Sequence, residues 1–289
     1  VKIRPDLETI QNLNHFMIID TDQGDLNNRQ YVSTDAKFCI SNFNKFEYQL
    51  RKFGRKHDSP DPKITEWCPE PEQYSFRATS GAGAGQIRLE SRLGLYYNLE
   101  REIGIQKKIL DFMDKSVQTE ETNLDDRRMV RVFIFGSIAG GTGSGSFLMM
   151  SYLAQALCSN SWTPKVSFVL SLPTLFKDKV GSNYASVCRN GYAALKELEF
   201  LTRKMGYEVS PEIDFQFSPN VAHSNRITTA PSALTYLVDR PTGISIENIE
   251  NAIADAVYLL VYTPMLIKVE QDLDNYEKSQ RSLVGGAAF

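Results

Sequence analysis

The sequence predicts an α/β fold: a parallel sheet covered on both faces by helices, then a long helix and a divergent second region. Three observations predict it. Apolar runs without polar alternation recur at "HFMIID", "MVRVFIFGSI" and "KVSFVLSLP", as in strands buried on both faces of a parallel sheet. Amphipathic stretches alternate with these runs, and strand, loop, helix, strand, helix is the order of a two-sided parallel sheet. A glycine run, "SIAGGTGSGS" at 137–146, joins one such strand to the helix that follows. It falls at the carboxyl end of its strand, where the loops of such a sheet make the ligand crevice.

The elements follow in order. Residues 15–22, "HFMIIDTD", are a strand opening into a loop. Residues 54–75 carry Pro60, Pro62, Pro69 and Pro71 and read as a surface excursion with few core residues. From Ile87 to Phe112, Leu89, Leu93, Tyr96, Tyr97, Ile103, Ile109 and Leu110 recur at helical intervals, which predicts an amphipathic helix with a break at Gly104. "MVRVFIFGSI" is a strand too apolar for a wet face, "SFLMMSYLAQAL" a helix, and "KVSFVLSLP" (165–173) the next strand. Residues 183–204 predict a long helix with Ala185, Val187, Tyr192, Leu195, Leu198 and Leu201 inward. After Met205 the texture changes: "ALTYLVD" (233–239) reads as a strand and Ser245 caps a helix.

Bulk properties narrow the function. With 289 residues and 42% hydrophobic content the chain can bury a sizeable core. A net charge of −3 supplies no basic surplus for nucleic acid. Cys39, Cys68, Cys158 and Cys188 are scattered, without metal-ligand or disulfide spacing, and read as reduced thiols of a cytoplasmic protein. The longest apolar run, 256–267, is short for a bilayer and broken by Pro264. No leader pattern is visible, and the chain opens on Val1, so its natural start is expected to lie elsewhere. His15, His57 and His223 lie far apart with no catalytic partner at suitable spacing.

The glycine run has a chemistry of its own. A helix leaves its first amides unpaired and carries partial positive charge there. Gly140, Gly141, Gly143 and Gly145 lack the Cβ atoms that would keep phosphate oxygens away, and Thr142, Ser144 and Ser146 add hydroxyl donors. No lysine follows the run, which excludes a Walker A loop, and the dinucleotide fingerprint is met only loosely.

"AGGTGSG", Ala139 to Gly145, resembles at every position the signature loop of the tubulin and FtsZ family. "IIDTDQGDL" (18–26), with Asp22 and Gln23, resembles that family's second nucleotide loop. "TSGAGAG" (79–85), with Gly81, Ala82, Gly83, Ala84 and Gly85, resembles the third, which faces the terminal phosphate. "LPTLFKDKVGSN" (172–183) stands where the fifth loop approaches the ribose, and puts Asp178 there. The resemblance implies that Tyr184 stacks on the base and that Asn190, on the long central helix, bonds the purine edge.

It further implies a Rossmann-like GTPase domain over 1–182, a central helix at 183–206, and a divergent insertion or second domain over 207–289. No stretch ahead of residue 15 resembles the family's first strand and first glycine loop, so either these lie outside the given sequence or nucleotide binding is expected to be impaired. Expected ligands are GTP or GDP with Mg²⁺. The implied activity is head-to-tail self-association, with GTP hydrolysed at the subunit boundary. "DLDNYE" (272–277) resembles the acidic seventh loop that one subunit lends to the next, with Asp272 replacing the leading asparagine and Asp274 and Glu277 in the catalytic positions. A non-polymerising nucleotide switch is the alternative. A nicotinamide enzyme is a third reading, in which Asp20 or Asp22 would hold a ribose, although both precede the glycine run. Arg88 and Arg92, at i and i+4, are read either as phosphate or boundary contacts or as a solvated face.

Overall fold

The computed structural model describes residues 14–56, 58–78, 81, 83–118, 128–157, 162–207, 213–214, 226–263, 265, 268–269, 271–272 and 275. Residues 11–239 belong to one unit, and Arg240 begins the remainder of a second.

In the first unit β1 (Ile18–Asp20) leads through α1 (Gln23–Asn27) to β2 (Lys37–Cys39), and the two strands pair in parallel. Then come α2 (Lys45–Lys52), α3 (Arg88–Glu100) and α4 (Ile105–Gln118). β3 (Arg128–Ser137) feeds α5 (Gly141–Leu157), followed by β4 (Trp162–Ser171) and the long α6 (Tyr184–Tyr207). β5 (Ile213–Asp214) and β6 (Arg226–Ile227) make a two-residue antiparallel pair. β7 (Leu234–Val238) closes the unit. Among the described residues β3, β4 and β7 form one parallel sheet in that order, with Phe135 opposite Val169 and Val169 opposite Tyr236. The predicted α/β architecture with parallel strands is what the chain adopts.

The core lies between this sheet and its helices. Phe168 and Leu170 of β4 are fully buried, and the Phe147 ring of α5 meets Phe168 edge-on at 5.2 Å. Leu93, Leu95, Tyr96 and Leu99 of α3 extend the core toward Ile40 beyond β2. Gly94 allows that approach, since a Cβ there would lie 3.3 Å from the Ile40 carbonyl carbon. A buried ion pair joins Lys45 of α2 to Glu90 of α3 at 3.2 Å. The Tyr74 hydroxyl and the Arg77 amide donate to the same carboxylate.

Several expectations change. Residues 54–75 are not merely a surface excursion: a one-turn helix, Pro62–Thr65, is capped by Asp61, and Ile64 and Cys68 are buried. The helix predicted from Ile87 to Phe112 is two helices, broken where Gly104 takes φ +76°. Ile103, in the link between the two helices, and Leu110 of the second are exposed. β3 does have a wet position: Phe135 is 51% exposed. Ala185 and Tyr192 of α6 face solvent, while Val187, Ala194, Leu198 and Leu201 face inward.

The boundary expected at 206/207 also moves. β7 pairs with β4 in the main sheet, so the first unit continues to Asp239 and α6 is a crossover between parallel strands. In the second unit α7 (Ile246–Tyr262) starts as expected: Ser245 accepts a hydrogen bond from the Asn248 amide at 3.2 Å. Among the described residues no helix is long and apolar enough to cross a membrane.

Candidate functional site

The loops after β1 and β3 meet at two threonines. β1 ends in Asp20, whose Oδ1 accepts from the amides of Thr21 and Asp22 and from the Thr142 hydroxyl at 3.2 Å. The Thr21 and Thr142 hydroxyls are themselves hydrogen-bonded at 2.6 Å. Thr21 is buried and Thr142 half-buried, and this link joins the second-loop segment to the first turn of α5.

Asp22 caps α1, its Oδ1 accepting from the Gly24 and Asp25 amides. Its Oδ2 faces Gly83, at 3.4 Å from where a Cβ would stand. The Gln23 amide donates to the Gly81 carbonyl at 3.1 Å. Its side-chain amide is engaged by Asn27 and Asn42.

The 81–86 turn is tied to the same place. The Gly83 amide donates to the Thr21 carbonyl at 3.0 Å, and the Gly81 amide to Ser41. Gly83 has φ +75°, a left-handed conformation that costs an L-residue roughly 1–2 kcal/mol. Gln86, not a glycine, also has φ +65°. Ala84 is buried, Gly85 lies beneath the Arg77 guanidinium, and Ala82 lies outside the described residues.

The glycine run is not a loop before the helix: α5 begins at Gly141, inside it. By helix geometry the amides of Gly140 to Gly143 lack intrahelical partners, whereas those of Ser144 and Gly145 lie within the ladder. Among the described residues, no backbone bond from another segment satisfies those four. They form a cluster of donors at the positive end of a 17-residue helix.

The roles of the four glycines differ from the expectation that all make room for phosphate. A Cβ on Gly141 would stand 2.6 Å from Ala84 Cβ and 2.8 Å from the Ile87 amide nitrogen. On Gly143 it would meet the Ser137 amide nitrogen at 2.9 Å, and on Gly145 the Arg88 carbonyl carbon at 3.0 Å. These three let α5 pack against the third-loop segment, β3 and α3. Gly140 alone has nothing within 4 Å of its Cβ direction. The expected hydroxyl donors are also occupied: Ser144 and Ser146 bond back to the carbonyls of Gly140 and Thr142, and Thr142 serves the threonine pair.

Ala139 is buried just before the first glycine, its amide donating to Ser137 Oγ at 3.1 Å. Asn190 reaches it from α6, its Nδ2 donating to the carbonyls of Gln86 (2.7 Å) and Ala139 (3.1 Å). Asp178 is exposed on a one-turn helix, Lys177–Val180, after β4. Tyr184 opens α6 with Lys177 Nζ 5.9 Å from its ring centroid, and its phenol is raised above its ordinary range by the Cys188 thiol. Asp274 and Glu277 lie outside the described residues.

Arg88 and Arg92 are not a solvated face. Arg88 donates from Nε and Nη2 to the Ser144 carbonyl and pairs with Glu197. The Arg92 guanidinium stacks over Trp67 at 4.1 Å, and burial lowers its pKa to about 10.

Two cavities flank the loops without including Gly140. One of about 220 Å³ is lined by Gln23, Cys39 and Asn42, among others; another of about 370 Å³ lies behind α5 between Arg88, Met149 and Phe200. Among the described residues no group of His, Cys, Asp and Glu could hold a metal by itself. Sequence reading missed Thr21, Ser41 and Asn42 as organisers; the signal available was their place at the polar ends of the runs "MIID" and "FCI".

The geometry is thus a helix N-terminus whose first amides have no backbone partner from another segment among the described residues, buttressed by two earlier loops through backbone bonds. No curated protein and no solved structure gives a significant match to this chain. A family model described as "Tubulin like" matches residues 4–286, nearly the whole length. The chain belongs to the tubulin-like family.

Proposed function

We propose that this protein binds GTP or GDP with the phosphates on the Gly140–Gly143 amides, self-associates head to tail, and hydrolyses GTP at the boundary between copies in the cytoplasm. The single observation that carries the reading is the convergence of residues 20–23, 81, 83–87 and 139–143 on one helix N-terminus whose first amides have no backbone partner from another segment among the described residues. A phosphate chain needs backbone donors and positive potential, and this arrangement provides both. Membership of the tubulin-like family supports guanine as the base.

The residues on the loops fit a nucleotide with its cation. Gly140 leaves an approach to the amides free of a side chain. Mg²⁺ binds largely through phosphate oxygens and water, and Asp22, with Oδ2 facing Gly83, is the acid such an ion would meet. When bound, Mg²⁺ would neutralise charge gathering on the phosphate oxygens. Turnover then requires a positioned water. Water attacks the terminal phosphorus, the bond to the bridging oxygen breaks, GDP leaves with that electron pair, and the water's proton passes to a carboxylate of Asp274 or Glu277 lent by the next copy. In this reading the base comes from the next copy, so turnover waits on association.

A nucleotide panel tests the binding: GTP and GDP should exchange onto the protein in preference to ATP, and preference for ATP would remove the guanine assignment. For catalysis, Asp274→Ala with Glu277→Ala should slow GTP turnover at least tenfold while leaving affinity nearly unchanged. Undiminished turnover would retire those two residues. A non-polymerising switch is the second reading, favoured by Asp272 standing where the seventh-loop pattern has asparagine. Sedimentation with GTP separates the two, because a switch stays small at every protein concentration.

A further inference from the structure

We propose that Asn190 is a positioning residue, a staple that fixes the third-loop segment against the signature segment, rather than a reader of the base. The inference rests on the nucleotide reading above and deepens it. Both partners of the Asn190 amide, Gln86 O at 2.7 Å and Ala139 O at 3.1 Å, are carbonyl oxygens, so only the NH₂ end can face them. A carboxamide has two N–H donors, and these two bonds use both. Nothing remains on that nitrogen to donate to a purine O6, and only the Oδ1 acceptor is left over.

The location agrees with the chemistry. Gln86 and Ala139 flank the segments whose amides would grip phosphate, and in a nucleotide the base lies beyond the sugar, at the far end from the terminal phosphate. An amide held between phosphate-gripping segments is at the wrong end to read a base.

The staple is anchored on a firm element. Val187 and Ala194 bury the same face of α6, and a Cβ on Gly191 would stand 2.6 Å from Pro173 Cγ, which holds this turn of the helix close to the segment after β4. At the other end it restrains Gln86, whose φ of +65° is a conformation a non-glycine residue keeps only when its surroundings hold it. The two carbonyls lie 104 and 51 residues from Asn190 in sequence, so this one side chain ties together three segments distant along the chain.

The test is a binding panel on Asn190→Ala and Asn190→Asp, with Asn190→Ser, which keeps one donor, as the milder variant should the others fail to fold. The probes are GTP, ITP, XTP and inorganic triphosphate. The staple predicts that affinity for all four falls together, by about 10-fold in Asn190→Ala, with the GTP:ITP:XTP ratios unchanged and Asn190→Ser intermediate. A change in the GTP:ITP:XTP ratios in Asn190→Asp, or unchanged affinity for inorganic triphosphate in Asn190→Ala, overturns it. A residue that served stability alone would lower Tm without this parallel loss. If the wild-type protein binds none of the four, the nucleotide reading fails. The staple is then judged by amide hydrogen exchange: residues 84–87 and 139–143 must exchange at least about 10-fold faster in Asn190→Ala, and unchanged protection refutes it.

Discussion

Adjacent glycines in the signature segment should fail in opposite ways. In Gly141→Ala the new Cβ would stand 2.6 Å from Ala84 Cβ and 2.8 Å from the Ile87 nitrogen. Carbon–carbon contacts settle near 3.5–4.0 Å, so the third-loop segment must retreat by about 1 Å. Overpacking of that kind costs about 1–3 kcal/mol. Up to about 1 kcal/mol is recovered because alanine favours a helix over glycine. With that gain taken in full the net loss is about 0–2 kcal/mol, a Tm fall of up to about 8 °C for a unit of this size. In Gly140→Ala the Cβ enters open space, and Gly140 is not among the glycines with positive φ. Stability should hold or rise by about 0.4–1 kcal/mol, from a less flexible unfolded chain. Nucleotide affinity should nonetheless drop by about 10- to 100-fold, as expected when a charge-assisted hydrogen bond worth about 1.5–3 kcal/mol is blocked. Thermal melts beside equilibrium nucleotide binding read both effects. A Gly140→Ala protein that melts early but binds normally, or a Gly141→Ala protein that gains stability, would refute the division of labour among these glycines.

Two further outcomes follow from titrating groups. Burial, with Lys115 and Lys108 nearby, holds the His15 imidazole below its ordinary pKa. The unfolded chain therefore takes the proton first as pH falls through about 6.5. Stability from neutral His15 is present above that pH and lost below it, and His15→Gln should flatten the fall of Tm between pH 7 and 5; an unchanged slope would refute this. Cys68 is buried and its thiol is pushed up to about 12, so at pH 8 it should resist a thiol reagent until the protein unfolds. Rapid labelling of Cys68 in the native state would contradict the packing around it.

Much of the fold was legible because its signals are local. The run "KVSFVLSLP" must be buried on both sides wherever it sits, and Ser245 caps its helix through bonds within one turn. The glycine run announced a helix N-terminus for the same reason. What sequence could not supply was partnership at a distance. Whether Gly141 faces a ligand or Ala84 depends on a segment more than fifty residues away. Arg92 is charged and helical, which suggests solvent, yet Trp67 takes its guanidinium. Ile64 and Cys68 sit among prolines, which suggests surface, yet the turns bring them to the core. β7 looked separate because about thirty residues divide it from α6, but pairing across a sheet is indifferent to such distances.

The buried contact between Lys45 and Glu90 constrains how this sequence can drift. With neither group in contact with solvent, neutralising one strands its opposite, an error costing about 3–5 kcal/mol, while exchanging both together strands no charge and leaves only the Tyr74 hydroxyl and the Arg77 amide to find new acceptors. Single-step change at either position is therefore disfavoured, and descendants of this chain should keep the two or lose them together. Positions 45 and 90, far apart along the polypeptide, are expected to be inherited as one character.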